Sequence, residues 1–299
     1  MRAYMRFTCN ICGCENEMSA NSVDDRERPT CTSCHSSIRF RSVALALSRA
    51  LFHSELTLPE FPRLKTIRGL GISDSEVYSR HLENRFNYTN TFYHQGPSFD
   101  LLRPDEREFQ RYDFVTCSDV LEHVCGRVER AFETLARLLK PSGFLILTLP
   151  FTHTGESLEH YPCDGEAGVT RIGNSLVVVS RSADGAYRVF DDPVFHGGDG
   201  WTLEMRVFSQ ADIAAKLRDA GFCSVRFEAA ESPRFGVMFS SPCSLPIIAA
   251  KQPFFLPTEA VREMMGDYAA ANALLAAARQ SRWLRFGAWL GLGPNLRRA

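Results

Sequence analysis

The sequence has no apolar run near the roughly 18 residues a membrane span needs, so a spanning helix is not expected. It lacks an excess of either charge: 34 Lys and Arg against 35 Asp and Glu leave a net charge of −1. That balance argues against a large nucleic-acid footprint, where neutralising phosphates leaves a basic surplus. The first ten residues, MRAYMRFTCN, hold no apolar stretch, and the expectation is a chain without a secretory leader. Ten cysteines in such a chain point to reducing, cytoplasmic surroundings, with metal binding or burial in place of disulfides. The rest is ordinary. An apolar fraction of 44% and a charged fraction of 23% suit a soluble globular protein, and 299 residues allow one large domain or two smaller ones.

Four of the cysteines are placed to a pattern. Cys9-x-x-Cys12 and Cys31-x-x-Cys34 form two knuckles 18 residues apart, the spacing of a tetrahedral four-thiolate zinc site with a structural role. So short a segment buries little surface, and the metal would supply its folding energy. Cys14 and His35 lie close enough in sequence to stand in as ligands. Arg39, Arg41 and Arg49 follow on a predicted helix. They read as a solvated face or a docking surface for the next domain; a role in reading RNA is the alternative.

The richest stretch runs from Tyr112 to Pro150. Phe114 and Val115 open a short strand. Val128, Ala131, Phe132, Leu135, Leu138 and Leu139 recur at helical spacing. Pro141-Ser142-Gly143 predicts a turn, and Phe144 to Leu149 an apolar strand buried on both faces. This is a βαβ unit, with Ser118, Asp119, Glu122 and His123 where its first strand ends. In open α/β sheets ligands bind at that edge.

The D-V-L-E-H segment, the following L-K-P-S-G and the apolar strand ending in Pro resemble the class I S-adenosylmethionine (SAM)-dependent methyltransferases, in a type-11-like subgroup. The resemblance covers roughly residues 60 to 250. It implies a Rossmann-like α/β sheet and SAM as cofactor. Cofactor contacts are then expected from Gly69, Gly71, Asp74, Gln95, Asp100, Ser118 and Asp119. Two departures stand out, and both are absences. Ile67 occupies the place of the family's acid before the glycines. Residues 88 to 99 contain no Asp or Glu where the family grips the ribose diol, leaving Gln95 as the nearest polar substitute. Asp100 matches the family's adenine-contacting acid, or is a simple loop cap.

For chemistry on an oxygen or nitrogen acceptor, a base with a pKa near neutrality is needed, and His is the usual one. The candidates are His160, His123 and His196, in three polar loops over the sheet edge. SLVVVS and YRVF around Asp184-Gly185 predict a hairpin insertion, where the family builds its substrate pocket. The resemblance extends to bacterial relatives tied to glycan pathways, which implies a small-molecule or glycan-intermediate acceptor. The organisation expected is a zinc ribbon at 1–42, a methyltransferase domain at 43–252 with an insertion at about 152–205, and a helical extension at 253–299. Trp283, Phe286 and Trp289 in the extension either cover the body or touch a membrane surface or acidic partner. Two further readings remain: an RNA methyltransferase, and a non-catalytic adaptor on the same fold.

Overall fold

The computed structural model describes residues 4–19, 24–163, 166–182, 184–196, 202–240 and 244–289. The chain opens with an antiparallel pair, β1 (Tyr4–Thr8) and β2 (Glu15–Ser19), then helix α1 (Ile38–Phe52). Ser37 caps α1 by accepting from the Phe40 amide, and His53 ends it in a left-handed conformation.

Strand β3 (Leu64–Ile72), helix α2 (Glu76–Arg85) and strand β4 (Phe86–Thr91) follow. Ser75 caps α2, its hydroxyl accepting from the Val77 amide. Next come β5 (Tyr112–Ser118), α3 (Val128–Leu138) and β6 (Leu139–Thr148). Pro141-Ser142-Gly143 does not turn the chain. The helix ends at Leu138, and these residues lie within β6, beside an irregularity in its pairing with β5. Lys140 fixes that entry by bonding both oxygens of the buried Asp113 at 2.8 Å.

Short strands β7 (Phe151–Thr152) and β8 (Leu158–Glu159) lead into the insertion. Its hairpin is a three-stranded antiparallel meander: β9 (Glu166–Ile172), β10 (Ser175–Arg181) and β11 (Tyr187–Asp191). Then β12 (Phe195–His196) pairs with β13 (Thr202–Leu203), and β14 (Arg206–Ser209) sits between β7 and β8. Helix α4 (Gln210–Asp219) is capped by Ser209, and Gly221 follows it at φ 99°. Strands β15 (Ser224–Phe227) and β16 (Ile247–Ala250) close the sheet antiparallel. Helices α5 (Thr258–Gln280) and α6 (Arg282–Trp289) complete the described chain.

Among the described residues the main sheet has six strands in the order β15-β16-β6-β5-β3-β4, parallel from β6 to β4. This is the Rossmann-like α/β architecture anticipated from the sequence. One core lies under α3 and α4 (Phe132, Leu135, Ile213 and Leu217 among its members). The other face packs against the cysteine-bearing segment: Phe7, Cys9, Ile11 and Met18 share a cluster with Leu64, Ile67, Phe86 and Phe114. Ile67 is fully buried there, so a carboxylate at that position would face apolar side chains.

Candidate active site

The chain runs from β3 outward to β4, then back past β3 to β5. The gap between the carboxyl ends of β3 and β5 is therefore the topological switch point, where open α/β sheets bind ligands.

On the β3 side, Gly69 and Gly71 are strand residues rather than turn residues, each paired to both neighbouring strands. Phe114 fills the space over Gly69. Tyr88, Asn90 and Asp74 fill the space over Gly71. The turn itself is Ser73, at φ 57°. Asp74 is buried beneath it and accepts from the hydroxyls of Tyr78, at 2.7 Å, and of Tyr88 and Thr116. Burial pushes its carboxyl above the usual range, against the pull of those three donors. Gln95 is exposed, and Asp100 caps its own loop by accepting from the Leu102 amide at 2.8 Å.

On the β5 side, Ser118 and Asp119 sit at the strand end. Asp119 is held at φ 54° by its amide bond to the Thr148 carbonyl and by the Thr148 hydroxyl, which donates to Oδ1; both are 2.9 Å. Such a conformation in a non-glycine residue marks a place the surrounding structure has fixed. Two arginines that the sequence reading did not place here complete the corner. Arg26 Nη2 donates to Asp119 Oδ2 at 2.6 Å, and Arg39 Nη1 donates to Ser118 Oγ at 2.9 Å. Burial pushes the Asp119 carboxyl up, but Arg26 and Arg39 outweigh it and hold it below the usual range. Nothing near Arg26 signals this role. It stands in a charged run, DDRER, 93 residues before its partner.

Glu122 is fully buried, and neither of its carboxylate oxygens has a hydrogen-bond partner. Burial, and then the charge of Asp119, push it well above the ordinary range. His123 Nδ1 lies 2.9 Å from the Leu203 carbonyl, which can only accept; Nδ1 therefore carries the proton, and Nε2 faces Glu122 Oε1 at 3.8 Å. His160 Nε2 pairs with Glu204 Oε1 at 3.1 Å. His196 stands opposite Thr202 in the β12–β13 ladder. The three candidate histidines thus converge on Thr202–Glu204, and Glu204 is the partner that sequence reasoning missed. Arg206 fastens this segment down, bonding Glu159 and the carbonyls of Leu121, Val124 and Gly126. Cys125 and Cys163 are joined as a disulfide, which ties the insertion to the loop after His123. For this pair the expected free or metal-bound thiols do not hold, because the insertion folds back onto that loop. Asp199, the acid beside His196 in the sequence, lies outside the described residues.

The thiols of Cys9, Cys12, Cys31 and Cys34 lie within 4.8 Å of one another, with the Cys9–Cys34 and Cys12–Cys31 sulfurs 3.6 Å apart. A tetrahedral zinc with bonds of about 2.3 Å sets its sulfurs about 3.8 Å apart, so the donor set fits that ion. Asn16 and the Cys34 amide donate to Cys31 Sγ. Cys14 and His35 are exposed and outside the group.

A Rossmann-like sheet thus brings an acid, a serine, the buried Glu122 and the half-buried His123 to its switch point. Residues 47–182, just under half of the chain, match a family model described as a methyltransferase domain. No curated protein matches by sequence. The chain is similar in structure to the SAM-bound amino pentose methyltransferase from Micromonospora echinaspora, at 15% identity and a TM-score of 0.38, covering 72% of this chain and 92% of that one. It is similar to the Burkholderia thailandensis 1,6-didemethyltoxoflavin N1-methyltransferase at 15% identity and a TM-score of 0.38, covering 71% and 76%. The CMeT domain of the citrinin polyketide synthase is similar at 12% identity and a TM-score of 0.37, covering 62% of this chain but only 46% of that one.

Proposed function

We propose that the protein transfers the methyl group of SAM to an oxygen or nitrogen of a small-molecule or glycan-intermediate acceptor. The observation that carries this reading is the methyltransferase-domain match over the segment whose Ser118, Asp119, Glu122 and His123 line the switch point. SAM, when bound, supplies an activated methyl group on a sulfonium. The chain aligns acceptor and donor, excludes water and holds the acceptor's proton. Ser118 and Asp119 are the contacts we assign to the cofactor on the β5 side; Gln95 and Asp100 border its far end. Gly69, Gly71 and Asp74 serve by shaping the β3 end from below. His160 is the favoured base: Glu204 orients it through Nε2, which leaves Nδ1 to accept a proton. His123, steadied by Leu203, is the second choice, and His196 the third. Zinc in the four-cysteine group is structural, because four thiolates leave no open position. We propose the cytoplasm as the site of action, because a four-thiolate metal group needs reducing surroundings.

One observation favours a second reading, a non-catalytic adaptor. Asp119 is already neutralised by Arg26 and Arg39, and Asp74 is committed to buried hydroxyls. An RNA-reading ribbon is disfavoured because Arg39 is turned onto Ser118, Arg41 is buried, and Arg49 bonds Glu55 and the Ala230 carbonyl. Calorimetric titration of zinc-loaded protein with SAM and S-adenosylhomocysteine separates the readings. Micromolar binding is expected. Asp119→Ala should weaken it at least tenfold while zinc stays bound. Folded protein that binds neither ligand would leave the adaptor.

A further inference from the structure

The β5 side of the switch point is walled by the cysteine-bearing segment and not by the sheet alone. Arg26 and Arg39 both reach Asp119 Oδ2, at 2.6 and 3.4 Å, and Glu27 accepts from Arg39 Nε at 2.8 Å while lying 3.1 Å from Arg26 Nε. The donors of Arg26 are therefore taken on two sides, by Asp119 and by Glu27. Its third nitrogen, Nη1, is buried and has no hydrogen-bond partner. Beside it, within the same group of interacting charges, lies Glu122, also buried and also without a hydrogen-bond partner.

An orphaned N–H on a guanidinium whose other nitrogens are fixed is a pre-aimed donor. Leaving it dry costs about as much as a lost hydrogen bond, on the order of 1–3 kcal/mol. A guanidinium in that state is suited to a small anionic acceptor, to which Nη1 can give a charge-assisted hydrogen bond. Its partner Asp119 stands just past the carboxyl end of β5, which borders the ligand edge between β3 and β5.

We propose that Arg26 receives the α-carboxylate of the cofactor's amino-acid end, so that the zinc ribbon supplies part of the cofactor pocket. This rests on the methyltransferase reading above. The ribbon is then a wall of the site, and Asp119 has two duties. It faces the ligand's positive end, and it holds Arg26 where the carboxylate arrives. The counter-ion arrangement explains how a site bearing two arginines accepts a cationic cofactor: Asp119 and Glu27 balance the two guanidiniums, and the ligand brings its own carboxylate to the remaining N–H.

The test uses the full-length zinc-loaded protein and two ligands, S-adenosylhomocysteine and 5′-methylthioadenosine, which lacks the amino-acid end. Wild-type protein is expected to bind the first more tightly. In Arg26→Lys, which keeps a charge for Asp119 but lacks the separate Nη1 donor, that preference should fall about tenfold, with methylthioadenosine affinity unchanged within a factor of two. Arg26→Gln should behave alike, with bound zinc and melting temperature as checks that the ribbon holds. An undiminished preference in Arg26→Lys overturns the assignment, as does equal weakening of both ligands, which would give Arg26 a purely structural role. If wild-type protein binds neither ligand, the methyltransferase reading itself falls and this one with it, an outcome distinct from the other two.

Discussion

At the scale of single residues, Glu122 is the group whose state follows most directly from its surroundings. A fully buried carboxyl without a hydrogen-bond donor is far cheaper to keep protonated than charged. Its folded-state pKa is raised well above 4.5, by burial first and by Asp119 second. The folded protein therefore retains a proton that the unfolded chain has released, and stability falls as pH rises through and above 4.5, at about 1.4 kcal/mol per unit for one proton. Glu122→Gln mimics the protonated form. Melting temperatures measured between pH 5 and 8 should fall with pH in the wild type more than in the variant, the gap widening until the pH passes the folded-state pKa of Glu122. Parallel curves would mean that Glu122 is ionised when folded. Asp119 and the neighbourhood of Glu122-His123 were legible in the sequence, because a strand end followed by a polar cluster is a local pattern. The burial of Glu122 was not, since it depends on Met205 returning across 83 positions to bond its carbonyl. Arg26 was illegible for the same reason.

Among the elements, those read well were the ones whose periodicity is decided by burial. Helix α3 and strand β5 lie where their apolar spacing put them, and α5 falls inside the expected helical extension. Gly69 and Gly71 leave the room that Phe114 and Tyr88 fill, which no local pattern reveals. The turn expected at Pro141-Ser142-Gly143 is a bulge inside β6, where Leu139 and Phe144 pair with Tyr112 and Phe114. Strand β9 went unseen because it is almost wholly exposed and carries no apolar alternation. Helix α5 shows a contact that propensity could not foretell. Glu263 accepts from the amides of Lys65, at 2.9 Å, and Thr66, at 3.2 Å, and so pins the helix to the start of β3. Ala260 is fully buried and Met264 packs against the core, whereas further along the extension Trp283 is 84% and Phe286 54% exposed. Glu263→Ala should destabilise the protein by about 1 kcal/mol. It should also speed hydrogen exchange at the Lys65 and Thr66 amides while leaving β5 protected. Unchanged exchange at those amides would show that the helix is held by Ala260 and its apolar neighbours alone.

Over the whole molecule, the cysteine segment is not a separate bead on the chain. Its Phe7, Ile11, Met18 and Cys31 share one apolar cluster with Leu64, Ile67, Phe86 and Phe114 of the main sheet, and its Arg26 and Arg39 anchor the strand end at Asp119. A segment this short cannot hold its own shape by burial, so the metal that closes the four thiols also holds one face of the sheet. Zinc removal should therefore act at a distance. One zinc per chain is expected by elemental analysis. Chelation should lower the melting temperature by on the order of 10 °C, consistent with a loss of several kcal/mol in a protein of this size. It should also weaken S-adenosylhomocysteine binding at a temperature where the sheet is still folded by circular dichroism. Cys31→Ser should reproduce both effects without a chelator, whereas Cys14→Ser, at an exposed sulfur outside the group, should reproduce neither. If chelation unfolds the ribbon and ligand affinity is untouched, then the arginines contribute nothing to the cofactor, and the ribbon's place against the sheet is a matter of packing alone.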